Sequence, residues 1–256
     1  YVDFNNNYNL NGDFSLEVWV KPESVSGTRT IFSKRDANKP ATGYDLKLNG
    51  DIISFNWNAT ESIVSPYPIT TNRWYHIAVT HTGSLYNLYI DGILISKAGG
   101  AIPAMNTNNC ILGANKSGSN PVNYFNGYMQ ELRIWNKVLT PEQLHQMMNQ
   151  KIKKSGTDNV IGEIVPIVIN GLSWSNLAGY YQMDMQCGHI VPVAGAITGR
   201  LRNIFTPQPL TAPLPYTTKA GGSGSWDDPL TWTQPVWSIP NSAGIGKDIN
   251  DLDPSH

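Results

Sequence analysis

The chain has 256 residues, a length that accommodates one large β-domain or two smaller ones. Hydrophobic residues make up 40% of it and charged residues only 14%, so Asn, Ser, Thr and Gly must supply much of the polar surface. The net charge of −1 lacks the basic excess that is typical of proteins binding nucleic acid or anionic membranes. No apolar run approaches the roughly 18 residues that span a bilayer. The sequence therefore predicts neither a nucleic-acid partner nor membrane insertion.

Residues 1–139 predict a succession of short strands. In residues 14–20 the apolar side chains alternate, which is typical of a half-buried strand. Asn49-Gly50 between two further runs is the strongest short hairpin signal, and Asp91-Gly92 is another. Such turns recur about every eight to twelve residues without amphipathic helices between the strands, a pattern that favours an all-β, antiparallel sandwich. The other strands are predicted at residues 30–33, 44–48, 52–57, 74–80, 85–90, 93–96, 110–113 and 128–135.

One short helix is predicted after the last of these strands. Thr140 can cap it, Pro141 suits the first helical position, and Gln143 completes a capping box. Leu144 and Met147 then begin an apolar stripe over about ten residues. We interpret this helix as structural.

The character of the sequence changes after Lys154. A Val/Ile run at residues 160–169 is broken by Pro166, and further strands are predicted at 177–183 and 199–205. Four prolines lie between residues 206 and 215, and a Gly/Ser-rich end follows with Trp226, Trp232 and Trp237. We therefore divide the chain into a jelly-roll domain (1–152), a strand-bearing extension (153–218) and a Trp-rich terminal segment (219–256) that begins a further module.

Several motifs occur in the order found in a known family. Residues 14–22 (FSLEVWVKP), 72–80 (NRWYHIAVT), 88–92 (LYIDG) and 125–135 (FNGYMQELRIW) resemble the laminin-G-like, or concanavalin A-like, jelly-roll domains, and residues 138–144 (VLTPEQL) resemble the family's closing helix. The similarity covers about residues 1–150. Family members usually begin one strand earlier, and residues 177–205 are similar to segments that precede such a domain. They either fill the empty sheet position or begin another repeat.

The resemblance leaves the function open, because this fold hosts lectins, adhesion modules, pentraxins and glycanases. Glycanases of this fold carry Glu-x-Asp-x-x-Glu on one strand, which supplies the carboxylates for retaining hydrolysis. No such string occurs here, and the matching strands offer only Glu17 and Glu131. His76 and His81 are predicted to point to opposite faces and to be bonded locally. The sequence therefore predicts a protein that is not an enzyme.

The sequence offers few acidic ligands at the positions where related domains bind calcium. Pentraxins carry acidic calcium ligands in a loop that reads ANKSGSN here, at residues 114–120, and Gln130 stands where the family often has Asp. Calcium prefers six to eight oxygen ligands that include carboxylates. A structural calcium ion is left open, with Asp3 and Asp13 as its candidate ligands and no cofactor required.

Sugar sites combine an exposed apolar platform with a few polar groups. Trp57, Tyr67 and Tyr124 lie near predicted strand ends, and Asn58 and Asn115 lie close to them in the sequence. These five residues are the candidate ligand-binding residues, accompanied by Asn56 and Asn123.

The favoured function is a carbohydrate-binding or adhesion module of a secreted or cell-surface protein, whose partners are a glycan or surface glycoprotein and the neighbouring modules of the same polypeptide. The alternative is a protein-binding or spacer module of an adhesin without a sugar site; a glycoside hydrolase is the least favoured. Residues 224–232 (GSWDDPLTW) resemble a motif that opens modules in large exported Bacteroidetes surface proteins. Cys110 and Cys187 are expected to be buried free thiols, although export would permit one bridge between them.

Overall fold

The computed structural model describes residues 1–185, 187–204 and 212. The predicted Trp-rich segment and the last residue of the strand predicted at 199–205 lie outside this part of the chain. The strands among the described residues are, in chain order, β1 (Val2–Asp3), β2 (Phe14–Pro22), β3 (Thr28–Ser33), β4 (Tyr44–Asn49), β5 (Ile52–Trp57), β6 (Glu61–Pro68), β7 (Tyr75–Thr82), β8 (Leu85–Ile90), β9 (Ile93–Gly99), β10 (Ile111–Leu112), β11 (Asn115–Ser117), β12 (Asn120–Val122), β13 (Gly127–Trp135), β14 (Ile152–Ser155), β15 (Asn159–Gly162), β16 (Val168–Ser173), β17 (Leu177–Tyr181), β18 (His189–Ile190), β19 (Ala194–Gly195) and β20 (Gly199–Leu201).

Two large antiparallel sheets form a sandwich. The eight-stranded sheet has the order β18-β20-β1-β10-β3-β4-β5-β6, and the seven-stranded sheet has the order β19-β17-β13-β2-β7-β8-β9. The predicted fold class, an antiparallel β-sandwich of the jelly-roll type, is confirmed. The predicted short helix follows β13, but it does not follow the last strand as expected, because β14 to β20 come after it. In the part of the chain that is described, no helix is long and apolar enough to cross a membrane.

Strand pairing sorts the side chains of the eight-stranded sheet into an inner and an outer face. Successive residues of a strand point to opposite faces, so each transverse row of paired residues belongs to one face. One row faces the other sheet and is apolar throughout: Leu201, Val2, Leu112, Phe32, Leu46, Phe55 and Ile63. The adjacent row faces outward and is polar at every position except Ile111: His189, Arg200, Asp3, Ile111, Ser33, Asp45, Asn56 and Ser62.

The outer face of the seven-stranded sheet is covered by the helix α1 (Pro141–Met148) and by a small sheet of β14, β15 and β16. Thr140 caps α1 and forms the predicted capping box with Gln143. Leu144 and Met147 are fully buried against Trp135 in a second apolar cluster. The outer face of the eight-stranded sheet is covered at its centre, where Asp3, Ile111, Ser33 and Asp45 are buried, and it is exposed towards its two edges, at His189, Arg200 and Ser62.

The extension contributes strands to both large sheets. β17 pairs with β13, and β20 pairs with β1 so that Leu201 lies opposite Val2. The ladder continues one residue further, because Arg202 and Tyr1 exchange both backbone hydrogen bonds, at 2.8 and 3.0 Å. β17 therefore extends the seven-stranded sheet beside β13, and β20 extends the eight-stranded sheet beside β1.

Candidate functional site

Trp57 does not provide a binding platform. Its side chain is fully buried and stacks on Tyr86, with ring centroids 3.8 Å apart and an interplanar angle of 19°. Gly100 packs so closely against the indole that a Cβ there would lie 2.5 Å from it. The expectation for Trp57 is therefore wrong, because Ile53, Phe55 and Trp57 alternate onto the inner face of β5.

Tyr67 is half-buried on the edge strand β6 and packs against the main core. Its backbone N–H donates to Ser65 Oγ at 3.1 Å, and its carbonyl accepts from the same hydroxyl at 2.7 Å. The ring thus completes the core at the sheet edge and leaves only part of its surface to solvent.

The candidate asparagines join one polar network on the outer face of the eight-stranded sheet. Asn56 Nδ2 donates to Asp45 Oδ1 at 2.7 Å. Arg35 Nη1 lies 3.8 Å from Asp45 Oδ2, and Arg35 Nη2 donates to the Asn58 carbonyl. Ser33, which pairs with Asp45, donates to Asn115 Oδ1 at 3.0 Å.

Two of these amides are already engaged within the protein. Asn58 accepts from the Ala104 N–H at 3.1 Å and donates to Glu61 at 2.7 Å. Asn115 is buried and bonded to Ser33. Asn56 and Lys47, whose ammonium group lies 3.3 Å from the same Asp45 carboxylate, are half-buried.

Tyr124 is the exposed aromatic side chain that a platform requires. Its exposed fraction is 41%, and no other Phe, Tyr or Trp among the described residues is classed as exposed. Its ring centroid lies 6.1 Å from that of Tyr1, with the two planes at 52°. Arg29 Nη1 donates to the Tyr124 carbonyl at 3.3 Å and so helps to hold this loop beside β3. Asn123, the residue before it, has a positive φ of 53° that turns the chain here.

The two candidate calcium ligands have separate surroundings. Asp3 accepts hydrogen bonds from Asn109 Nδ2 and from the Asn5 N–H. Asp13 lies before β2 and accepts from Thr82 Oγ1 and the Gly83 N–H, each at 3.3 Å. The described residues hold no cluster of three His, Cys, Asp or Glu side chains that is suited to a metal. A calcium ion at either carboxylate stays a prediction.

Glu17 and Glu131, the strand carboxylates noted in the sequence, are sealed beneath α1. Both engage Arg133, at 3.6 Å and 2.7 Å respectively. Burial alone would raise the pKa of Glu17, but Arg133 and the hydrogen bond from His76 bring that pKa below its ordinary value. Arg133 also donates to the carbonyl of Met147 at the end of α1. The group is a buried structural network rather than a carboxylate pair facing a cleft.

Both histidines form hydrogen bonds within the protein, whereas only one cysteine has the predicted environment. His76 bonds Glu17 at 3.1 Å, and the ring nitrogens of His81 lie 3.4 Å from the carbonyls of Gly12 and Gly100, so the predicted local bonding is confirmed. Both cysteines are free, and Cys110 is buried as expected. Cys187 is exposed, so the expectation of two buried thiols is wrong for this residue.

A groove of about 370 Å³ between α1 and the loop before β16 was not singled out from the sequence. One wall is the helix side, and the other consists of branched aliphatic side chains, of which Ile167 is 65% exposed. Gln150 Oε1 accepts from the N–H groups of Ile164 and Val165 and so holds this apolar loop. In the sequence, the Val/Ile run at residues 160–169, broken by Pro166, was the feature that could have indicated this groove. The lining residues are His145, Gln146, Asn149, Gln150, Ile164, Val165, Ile167 and Ile169.

Comparison with known proteins identifies the family. A family model described as the concanavalin A-like lectin/glucanase superfamily matches residues 1–145, more than half of the chain. The chain belongs to this superfamily. The resemblance noted in the sequence is thereby confirmed.

Curated relatives and a solved structure agree with this assignment. The rat sushi, von Willebrand factor type A, EGF and pentraxin domain-containing protein 1 is 28% identical over 155 residues, and its mouse counterpart is 28% identical over 156 residues. Each match covers 56% of this chain and 4% of the relative, so the chain spans a small fraction of the proteins it matches. A candidate carbohydrate-binding protein from Bacteroides ovatus superposes with a TM-score of 0.59 at 20% identity, over 79% of this chain and 55% of that one. This superposition shows the shared fold.

Proposed function

We propose that this chain is a non-catalytic glycan-recognition module that acts outside the cell within a larger protein. The observation that carries this proposal is the position of Tyr124, an exposed ring inclined against Tyr1 at the rim of the eight-stranded sheet. Sugar rings pack on such surfaces while their hydroxyls bond nearby polar groups. Arg29, which donates to the Tyr124 carbonyl, is such a group, and Asn123 precedes Tyr124 in the same loop.

The superfamily and the fold support recognition of carbohydrate. The superfamily description includes lectins, and the Bacteroides ovatus protein of similar fold was solved as a candidate carbohydrate binder. The low charge content and the lectin-type sandwich favour a secreted or cell-surface location, with a glycan or surface glycoprotein as partner.

The buried carboxylates argue for a non-catalytic role. Glycoside hydrolysis requires two carboxyl groups on either side of the scissile bond. Glu17 and Glu131 are both buried and bonded to Arg133, so neither can flank a substrate.

The test is a glycan array probed with the whole chain, once with calcium and once with chelator. Tyr124→Ala should abolish selective binding, whereas Tyr124→Phe should retain it because the ring remains. Tyr128→Ala is the matched control, since it removes a tyrosine from β13 in the other sheet. Thermal unfolding of each variant verifies that it is folded. A difference in glycan binding between the calcium and chelator conditions would reveal a bound calcium ion.

A protein-binding or spacer function is the second candidate, and the apolar groove beside α1 is the observation that favours it. A blank array in both conditions would contradict glycan binding for the sugars tested. Loss of binding in Tyr128→Ala as well as in Tyr124→Ala would contradict the proposed position of the site.

A further inference from the structure

The arginines of this chain fall into two groups. Three hold carboxylates: Arg35 with Asp45, Arg73 with Asp91, and Arg133 with Glu17 and Glu131. The other three, Arg29, Arg200 and Arg202, form no salt bridge with any carboxylate in the described part of the chain. Arginines without carboxylate partners are available to an external anion.

One of the unpaired arginines, Arg200, lies in β20, and another, Arg202, directly follows this strand. Leu201 packs against the main core, and its two neighbours, Arg200 and Arg202, therefore point to the outer face. Arg200 is exposed and lies opposite Asp3 and His189 in the sheet. Arg200 is therefore open to solvent on this face, whereas Arg202 is half-buried.

Contacts through Tyr1 and Tyr124 link these two arginines to the third unpaired arginine, Arg29. Arg202 lies beside Tyr1 through their paired backbone hydrogen bonds. Burial raises the pKa of the Tyr1 hydroxyl, and the nearby charge of Arg202 opposes this shift. Tyr1 contacts Tyr124, whose carbonyl accepts from Arg29. We call these five residues, Arg29, Arg200, Arg202, Tyr1 and Tyr124, the arginine–tyrosine patch.

Hydrogen-bond donors in the patch exceed the acceptors that the protein supplies. The Nε atoms of Arg29 and Arg202 are buried and have no partner among the described residues. The same nitrogen lacks a partner in Arg35 and Arg133, but those guanidinium groups hold carboxylates through their Nη atoms. Unmade hydrogen bonds of buried donors cost free energy, so a rotation of these side chains that brings the nitrogens to an anionic oxygen would recover it.

The patch also carries a net positive charge. Asp3 is the acidic residue that faces Arg200 in the sheet, and its carboxylate already accepts hydrogen bonds from Asn109 and Asn5. One engaged carboxylate against three guanidinium groups leaves an excess of positive charge at the rim. Such an excess attracts acidic ligands through the summed field as well as through direct contact.

We propose that the arginine–tyrosine patch binds acidic glycans through their carboxylate or sulfate groups. This inference rests on the proposed glycan-binding function and specifies its ligand class. The tyrosine rings support the sugar, and the guanidinium groups bind its anionic substituents in the bidentate manner that suits both carboxylate and sulfate oxygens.

The test measures binding of the whole chain to immobilised polygalacturonate, heparin and neutral dextran at low and high salt. The Arg200→Gln/Arg202→Gln variant should bind the acidic polymers about ten-fold more weakly, because hydrogen bonds to charged groups are the stronger class. Binding by the wild type should weaken at high salt, since exposed charges are screened. Arg200→Gln alone is the second variant, because this side chain is exposed and its loss should leave folding unchanged.

Lys97→Gln/Lys153→Gln is the matched control. It removes the same charge from two exposed lysines on β9 and β14 that form no salt bridge with a described carboxylate. Equal weakening in this control would show that net charge, rather than the patch, is responsible, and would overturn the inference.

The remaining outcomes separate the two proposals. Wild-type binding to heparin alone would assign sulfate as the recognised group, and binding to both acidic polymers would assign carboxylate. Unchanged binding by both arginine variants, or no wild-type binding to either polymer, overturns the acidic ligand class. Selective binding of neutral glycans that depends on Tyr124 would in that case leave the glycan-binding function standing.

Discussion

Glu17 and Arg133 face each other across β2 and β13, with Glu17 Oε1 3.6 Å from Arg133 Nη1 and both side chains fully buried. The Trp135 indole N–H donates to the same carboxylate oxygen at 2.9 Å. From the other end of the network, Arg133 donates to the Gln150 carbonyl at 2.7 Å. The ion pair therefore connects the seven-stranded sheet to the segment that follows α1.

Arg133→Met should destabilise the protein strongly. The substitution leaves Glu17 and Glu131 buried without their cation, and breaking a buried pair on one side costs about 3–5 kcal/mol. We expect a loss of this size in the free energy of unfolding measured by urea denaturation. Lys154→Met is the control, since its pair with Asp158 is exposed and should contribute about 1 kcal/mol or less. Equal losses in the two variants would contradict a special role for the buried network.

The same network predicts how the free energy of unfolding depends on pH. The pKa of Glu17 is lowered in the folded protein from its ordinary value of 4.5. A lowered folded-state pKa contributes stability above the unfolded-state pKa, and that contribution is lost as the pH falls through the folded-state value. The gap in unfolding free energy between wild type and Glu17→Gln should therefore be full at pH 7 and should shrink below about pH 4.5. A gap that stays constant from pH 7 to pH 3 would show that the charge of Glu17 is not responsible.

Local signals in the sequence predicted local structure well. Thr140 and Gln143 form the capping box, and Asp91-Gly92 has positive φ at both residues, as the predicted tight turn requires. Trp57 was misassigned because its place near a strand end was given more weight than the alternation of Ile53, Phe55 and Trp57, which already indicated an inward side chain.

Long-range pairing was left open by the sequence, which allowed residues 177–205 either to fill an empty sheet position or to begin another repeat. Residues far apart in the sequence, such as Val2 and Leu201, are brought together by the pairing of β1 with β20 rather than by any local preference. For this reason the proximity of Tyr1, Tyr124 and Arg202 was not predicted, and Tyr124 alone of the three was named as a candidate from the sequence.

Trp57→Ala should act on stability rather than on recognition. Removing a fully buried tryptophan that stacks on Tyr86 leaves a cavity and should cost about 3–5 kcal/mol. Trp57→Phe should cost less because an aromatic ring remains to pack on Tyr86. Unfolding curves measure the loss, and glycan binding measured below the unfolding transition should match that of the wild type. Selective loss of binding in a folded Trp57→Ala variant would show that this residue takes part in recognition.

The two cysteines should differ sharply in reactivity. Burial raises the pKa of the Cys110 thiol to about 12, and Tyr44 lies over it with its hydroxyl 3.9 Å from Sγ. Because the thiolate is the reactive form, Cys110 should be inert at pH 8, whereas the exposed Cys187 should react at once. A disulfide reagent should therefore titrate one thiol in the native protein and two in urea. The Cys187→Ser variant should show no native reaction and one thiol in urea, and rapid native labelling of that variant would contradict the burial of Cys110.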